Sequence, residues 1–207
     1  MIRVYAVDCT PYLRDDAVTR ALPHLDDVRR KRVARLRLPL KRAQCVAAGL
    51  LLTHLFGKDG DPPRLAYSEH GKPSLTKENA PNFSLSHSGR WVFCAVSDRP
   101  VGMDAQVERF VTRRVMSRTL AEQEENWVRE NGTSRFTRLW SMKEAFVKYT
   151  GAGLSIPLRS VQLNVPPLCG WDAQNEVYWH LTTFDGKLAV TVCGEEAECD
   201  NIVILCL

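Results

Sequence analysis

Between Phe136 and Tyr149 the sequence specifies an amphipathic helix, and the rest of the chain is organised around it. Phe136, Leu139, Met142, Phe146 and Tyr149 fall three or four residues apart. That spacing places them on one face of a helix as an apolar stripe. Ser134 is positioned to cap the start, and Gly151 with Gly153 supplies the positive φ that ends a helix cheaply. Inside the stretch Trp140-Ser141-Met142-Lys143-Glu144-Ala145-Phe146-Val147-Lys148, Glu144 and Lys148 are four apart and stack on one side. Taken alone, such a pair is most often a surface ion pair.

Around this helix the periodicities alternate. Ile2 to Cys9 predicts an opening strand. Asp26 and Asp27 start a helix through a basic run, their carboxylates suited to its N-terminal end, and Pro39 breaks it. Leu40, Ala43, Ala47, Leu50, Leu51 and Leu55 predict a second amphipathic helix closed by Gly57. Lys58 to Pro63 is a turn-rich loop. Arg64–Tyr67, Phe83–His87, Trp91–Val96 and Val101–Val107 read as strands, and Glu122–Glu130 as a helix. The tail predicts strands at Val161–Val165, Val177–Phe184, Leu188–Cys193 and Ile202–Leu205, with Asp185-Gly186 as a hairpin turn. Helices and strands mix without strict βαβ alternation, so the fold class is α+β.

Composition narrows the possibilities further. A chain of 207 residues, 44% hydrophobic and 25% charged, has the make-up of a globular protein with a real core. Its start lacks the apolar run of a signal peptide, and the longest apolar run, Cys45 to Leu52, is too short to span a bilayer. Seven cysteines with no Cys-x-x-Cys pair read as buried thiols in a reducing compartment, so a cytoplasmic location is expected. The net charge is only +4, yet eight of the fourteen residues from Arg29 to Arg42 are basic. That density calls for a phosphate-rich or acidic partner, or else marks a solvated helix face.

Three further stretches could carry chemistry. Val101-Gly102-Met103-Asp104-Ala105-Gln106 puts Asp104 and Gln106 on the same side of a strand, while Gly102 permits close approach to the backbone. Asp104 opposed by Glu144 would suit a hard cation such as Mg²⁺, which takes one or two carboxylates and fills its other positions with water and phosphate oxygens. Phe83-Ser84-Leu85-Ser86-His87-Ser88 presents hydroxyls and an imidazole before a glycine turn, all able to donate to phosphate. No Gly-x-Ser-x-Gly elbow accompanies them. Gly71-Lys72-Pro73 offers a lysine on a rigid turn, suited to a phosphate or to plain surface.

The order of these features is specific: a basic helix, Gly-Lys-Pro, Ser-His-Ser, Gly-x-Asp, then Trp-Ser-x-Lys-Glu-Ala-x-x-Lys. In that order they resemble the 4′-phosphopantetheinyl transferases, in particular the long Sfp-type group, from about Arg29 to Leu158. The resemblance implies transfer of phosphopantetheine from coenzyme A to a serine of an acyl- or peptidyl-carrier protein, with adenosine 3′,5′-bisphosphate released and Mg²⁺ required. By position, Asp104 and Glu144 match metal ligands. Gln106 stands where many members carry a second acid, and Glu108 could compensate for the lost charge. Glu144 and Lys148 match the catalytic pair, Lys148 either deprotonating the serine or stabilising the departing phosphate. Arg30, Lys72, Ser86, His87 and Lys148 match coenzyme A contacts, and Glu122 a further acidic residue. The implied fold is two similar α+β halves related by a pseudo-twofold axis, residues 1–100 and 101–207, the second carrying the metal and catalytic motifs. A monomer is implied as well. Two other readings stay open: an inactive homologue that binds coenzyme A or carrier protein without transfer, motivated by Gln106, and a nucleic-acid-binding protein using the basic run. The second lacks interleaved aromatic residues and any recognised nucleic-acid motif.

Overall fold

The computed structural model describes residues 1–108, 110–132 and 134–207. In chain order the elements are β1 (Arg3–Asp8), α1 (Asp15–Ala21), α2 (Asp27–Arg35), α3 (Pro39–Phe56), β2 (Leu65–Tyr67), β3 (Pro73–Leu75), β4 (Asn82–Ser88), β5 (Trp91–Ser97) and β6 (Val101–Val107). There follow α4 (Arg113–Thr119), α5 (Glu122–Asn131), α6 (Ser134–Thr150), β7 (Gly170–Asp172), β8 (Val177–Phe184), β9 (Leu188–Gly194) and β10 (Val203–Leu205). Helices and sheets are mixed, as the sequence led one to expect.

Two four-stranded sheets form the frame. The first runs β10-β1-β5-β4, with β10 returning from the tail to lie parallel to β1. The second runs β6-β9-β8-β7 and is antiparallel throughout. Alternation along the strands sends side chains to opposite faces. Thus Val7, Phe83, Val92 and Cys94 pack under α3, while Val4, Ala6, Phe93 and Ala95 face the second sheet. There they meet Met103, Ala105, Val190 and Val192. The other face of the second sheet is covered by α6 through Phe136, Leu139, Met142 and Ala145. Of the stripe read from the sequence, Phe136, Leu139 and Met142 are buried, and Phe146 and Tyr149 are half-buried against the same cluster.

Two local features place α6 and β6. A Cβ added to Gly102 would lie 2.0 Å from Ala145 O and 2.4 Å from Tyr149 N, so the helix backbone rests directly on the strand at this residue. The edges of the two sheets are joined by side chains: Ser84, Ser86 and Ser88 of β4 accept hydrogen bonds from the N–H groups of Met103, Ala105 and Val107 of β6, at 3.0, 3.0 and 2.8 Å. All three serines are buried. Hydroxyls thus satisfy N–H groups that would otherwise be costly orphans.

Several expectations change. Pro39 does not end α2, which closes at Arg35; it is the first residue of α3, where its missing N–H is harmless. Residues 161–165 are not a strand. Val161 and Leu163 are buried, but their backbone groups go elsewhere: Val161 O accepts from Lys143 Nζ, and Leu163 N donates to Glu124 Oε1. Lys143 and Glu124 form a fully buried ion pair of 2.7 Å. All seven cysteines are free, four of them buried. Among the described residues no helix is long and apolar enough to cross a membrane.

Candidate active site

Asp104 and Gln106 emerge on the α6 side of β6, opposite the core-facing Met103 and Ala105, because strand side chains alternate. Gly102 brings α6 close enough for Glu144 and Lys148 to reach the same place. Lys148 Nζ lies 2.7 Å from Asp104 Oδ1, a charge-assisted pair, and 3.2 Å from Ser86 Oγ. The Ser86 hydroxyl donates to the same Oδ1 at 2.8 Å. Asp104, 6% exposed, thus has one carboxylate oxygen held by two donors, while its Oδ2 is buried with no hydrogen-bond partner.

These residues line a cavity of about 650 Å³ together with Gln106, Glu144, Trp140 and His87. Burial, then the neighbouring Asp104 charge, holds the Glu144 carboxyl above the ordinary carboxylate range, and Lys148 opposes this. His87 is pushed below its ordinary value by burial of its ring and by Lys41 and Lys148, although the residue as a whole is exposed. The same lining is cationic at Arg29 and Arg32 of α2 and Lys41 of α3. A second cavity of about 600 Å³ around Tyr5, Leu55 and Phe56 gathers no comparable set of acids and donors.

Three of the sequence candidates lie elsewhere, and a fourth, Lys72, borders an adjoining groove with Glu144 and Lys148. Arg30 pairs with Asp27 and borders a different groove, so the basic helix offers Arg29 and Arg32 to this cavity instead. The signal was present: Arg29 is one turn before the apolar Val33, on the buried face of α2. Lys72 turns its ammonium to Lys148 O at 2.5 Å and Tyr149 O at 3.4 Å at the C-terminal end of α6, and to Val101 O of β6 at 3.4 Å, which accounts for its three donors. Glu122 is exposed at the start of α5, and the buried acid of that helix is Glu124. Glu108 is exposed beyond the end of β6 and off the cavity wall.

The donor set fits a hard divalent cation. The orphaned Oδ2 of Asp104 is a buried anionic ligand without a partner, and the Glu144 carboxylate and Gln106 amide share its cavity. Among the described residues no group of three or more His, Cys, Asp or Glu side chains gathers to form a complete cage. Mg²⁺ does not need one, since it keeps waters and takes one or two carboxylates plus phosphate oxygens.

Residues 100–193 match the model of the 4′-phosphopantetheinyl transferase superfamily. The matched segment holds Asp104, Gln106, Glu144 and Lys148. That match covers a little under half of the chain. This chain is similar to 4′-phosphopantetheinyl transferase Sfp of Bacillus subtilis, 32% identical over 119 residues, which cover 56% of this chain and 53% of the relative. A transferase of Bacillus pumilus is 39% identical over 95 residues, 44% of this chain and 41% of that protein. The L-aminoadipate-semialdehyde dehydrogenase-phosphopantetheinyl transferase of Xenopus laevis is 35% identical over 118 residues, covering 47% and 38%. The chain thus spans about half the length, or less, of the curated relatives it matches.

Proposed function

We propose that this chain transfers 4′-phosphopantetheine from coenzyme A to a serine of an acyl- or peptidyl-carrier protein. The observation that carries the reading is one cavity lined by Asp104, Glu144 and Lys148 together with Arg29, Arg32 and Lys41. Such a cavity has cations for phosphates and carboxylates for a metal. In the reaction, the serine oxygen bonds to the phosphorus that bears pantetheine. The bond from that phosphorus to the bridging oxygen breaks, and adenosine 3′,5′-bisphosphate leaves.

Glu144 takes the serine proton, since its carboxylate lies in the cavity one helical turn from Lys148 on α6. Lys148, held by Asp104 and Ser86, opposes the charge that builds on the phosphate oxygens. Arg29, Arg32 and Lys41 hold the phosphate groups of coenzyme A in the roles first expected of Arg30 and Lys72, and His87 donates beside them. Asp104, Glu144 and Gln106 would hold Mg²⁺, which when bound neutralises charge on the pyrophosphate. Lys72 is a positioning group that fixes the end of α6. The first sheet and the second would be the frames of the two halves, divided near Pro100, and the chain would act as a cytoplasmic monomer.

The test is to incubate an apo carrier protein with this chain, coenzyme A and Mg²⁺, and to measure the intact mass. A gain of one phosphopantetheine that disappears in excess chelator is expected. An unchanged mass with a carrier protein that another transferase modifies would refute the reading.

A further inference from the structure

One wall of the same cavity carries a polar group with no part in the chemistry above. Lys41, Gln44, Cys45 and Ala48 recur at three- and four-residue steps and form the face that α3 turns to the cavity. Gln44 is 2% exposed, and its Nε2 donates to Gly89 O at 2.7 Å. A backbone carbonyl only accepts, so this bond fixes which end of the amide is which. The other end, Oε1, is then an acceptor, buried and without a hydrogen-bond partner.

Its surroundings say what it could accept from. Arg29 stands on the neighbouring wall, and Gly49 makes room for it: a Cβ there would lie 2.6 Å from Arg29 Cδ. With Arg32 and Lys41 it supplies positive charge for phosphates. A carbonyl-type oxygen repels phosphate oxygens and attracts N–H or O–H groups. The cavity is therefore polarised, with a cationic wall for the anionic part of a ligand and one fixed acceptor for a neutral donor beside it.

We propose that Gln44 is a specificity residue, whose Oε1 accepts a hydrogen bond from the nucleoside part of a phosphorylated nucleotide. The donor is the 6-amino group of a purine or a ribose hydroxyl. The inference rests on the nucleotide reading of this cavity and adds which part of the nucleotide is read, and by which residue. A site built around a buried acceptor discriminates strongly against analogues that lack the donor, because the acceptor then stays unpaired.

Calorimetric titration tests this without turnover. The ligands are adenosine 3′,5′-bisphosphate, inosine 3′,5′-bisphosphate, which has an oxygen in place of the amino group, and 2′-deoxyadenosine 3′,5′-bisphosphate. One analogue should bind the wild type about ten- to a hundredfold more weakly than the parent. A weak inosine compound identifies the base as the donor, and a weak deoxy compound the ribose. Gln44→Met should bring the parent down to the affinity of that analogue and leave the analogue unchanged. Equal affinity of the wild type for all three ligands, decisive even if the variant does not fold, overturns the role of Gln44 while the nucleotide site stands. A preference that survives Gln44→Met does the same. Failure of every bisphosphate to bind overturns the nucleotide reading, and the role of Gln44 with it.

Discussion

Replacing Lys143 with methionine should be among the most damaging single changes available in this chain, although Lys143 touches nothing in the candidate site. Its side chain is 0% exposed and its partner Glu124 1% exposed. The ammonium donates to Glu124 Oε2 at 2.7 Å, Leu158 O at 3.0 Å and Val161 O at 2.5 Å, using all three of its donors. The carboxylate in turn accepts from Ala121 N and Leu163 N, at 2.7 and 2.8 Å. Lys143→Met leaves that charge buried with only two amide donors, and two carbonyls lose their partner. Removing one member of a buried pair costs about 3–5 kcal/mol. For a chain of this size each kcal/mol lowers the thermal midpoint by about 2–4 °C, so a fall of roughly 6–20 °C is expected. Urea unfolding followed by fluorescence measures the loss by linear extrapolation. The double variant Lys143→Met/Glu124→Gln should recover part of it, since the uncompensated charge is gone. A loss below about 1 kcal/mol, the scale of an exposed pair, would refute the reasoning. So would a double variant no more stable than the single one.

Three further outcomes follow from the site and the joint. Glu144→Gln should raise the thermal midpoint at neutral pH: burial and Asp104 raise the folded-state pKa of Glu144, so its ionisation costs native stability as pH rises through that value. The difference should vanish below the unfolded value of about 4.3, and a constant gap in melts from pH 3 to 8 would contradict it. Ser88→Ala should cost about 1–3 kcal/mol in urea unfolding by orphaning the Val107 N–H, whereas an unchanged midpoint would mean that water replaces the hydroxyl. Gln106→Glu adds a negative charge to the cavity, so half-maximal transfer should come at a lower Mg²⁺ concentration in a titration at fixed pH and ionic strength. An unchanged or higher half-saturation point would place residue 106 outside the ligand shell.

Much of the frame was legible because its signals are local. The stripe of α6, the apolar face of α3 and the Asp185-Gly186 turn each depend on residues within a few positions of one another. The latter two residues take positive φ, +50° and +65°, as such a turn requires. Asp104 and Gln106 were placed on one strand face by parity alone, and Gly102 announced a close approach without saying of what. What stayed hidden depends on partners far along the chain. Residues 161–165 alternate like a strand, but Lys143 and Glu124 claim their backbone groups. Lys72 reads as a surface lysine until the end of α6 supplies two carbonyls and the start of β6 a third. In a run as basic as Arg29 to Arg42, the choice between Arg29 and Arg30 turns on one step of helical phase, and charge density carries no phase.

The joint between β4 and β6 has a consequence for how the chain finds its register. Hydroxyls on every second residue meet N–H groups on every second residue, so a slip of one residue is forbidden, while a slip of two would restore the same teeth in the same gaps. The three serines therefore fix parity and leave position undetermined. Position comes from an omission, the missing Cβ of Gly102, 2.0 Å from where Ala145 O already stands. Sliding β6 by two residues would bring Pro100 or Asp104 beneath that carbonyl, and either would collide. The same slip would carry Asp104 about 6.6 Å along the sheet, beyond the reach of Lys148. One absent carbon atom thus sets the phase of a strand, and with it the separation of the two residues on which the site depends.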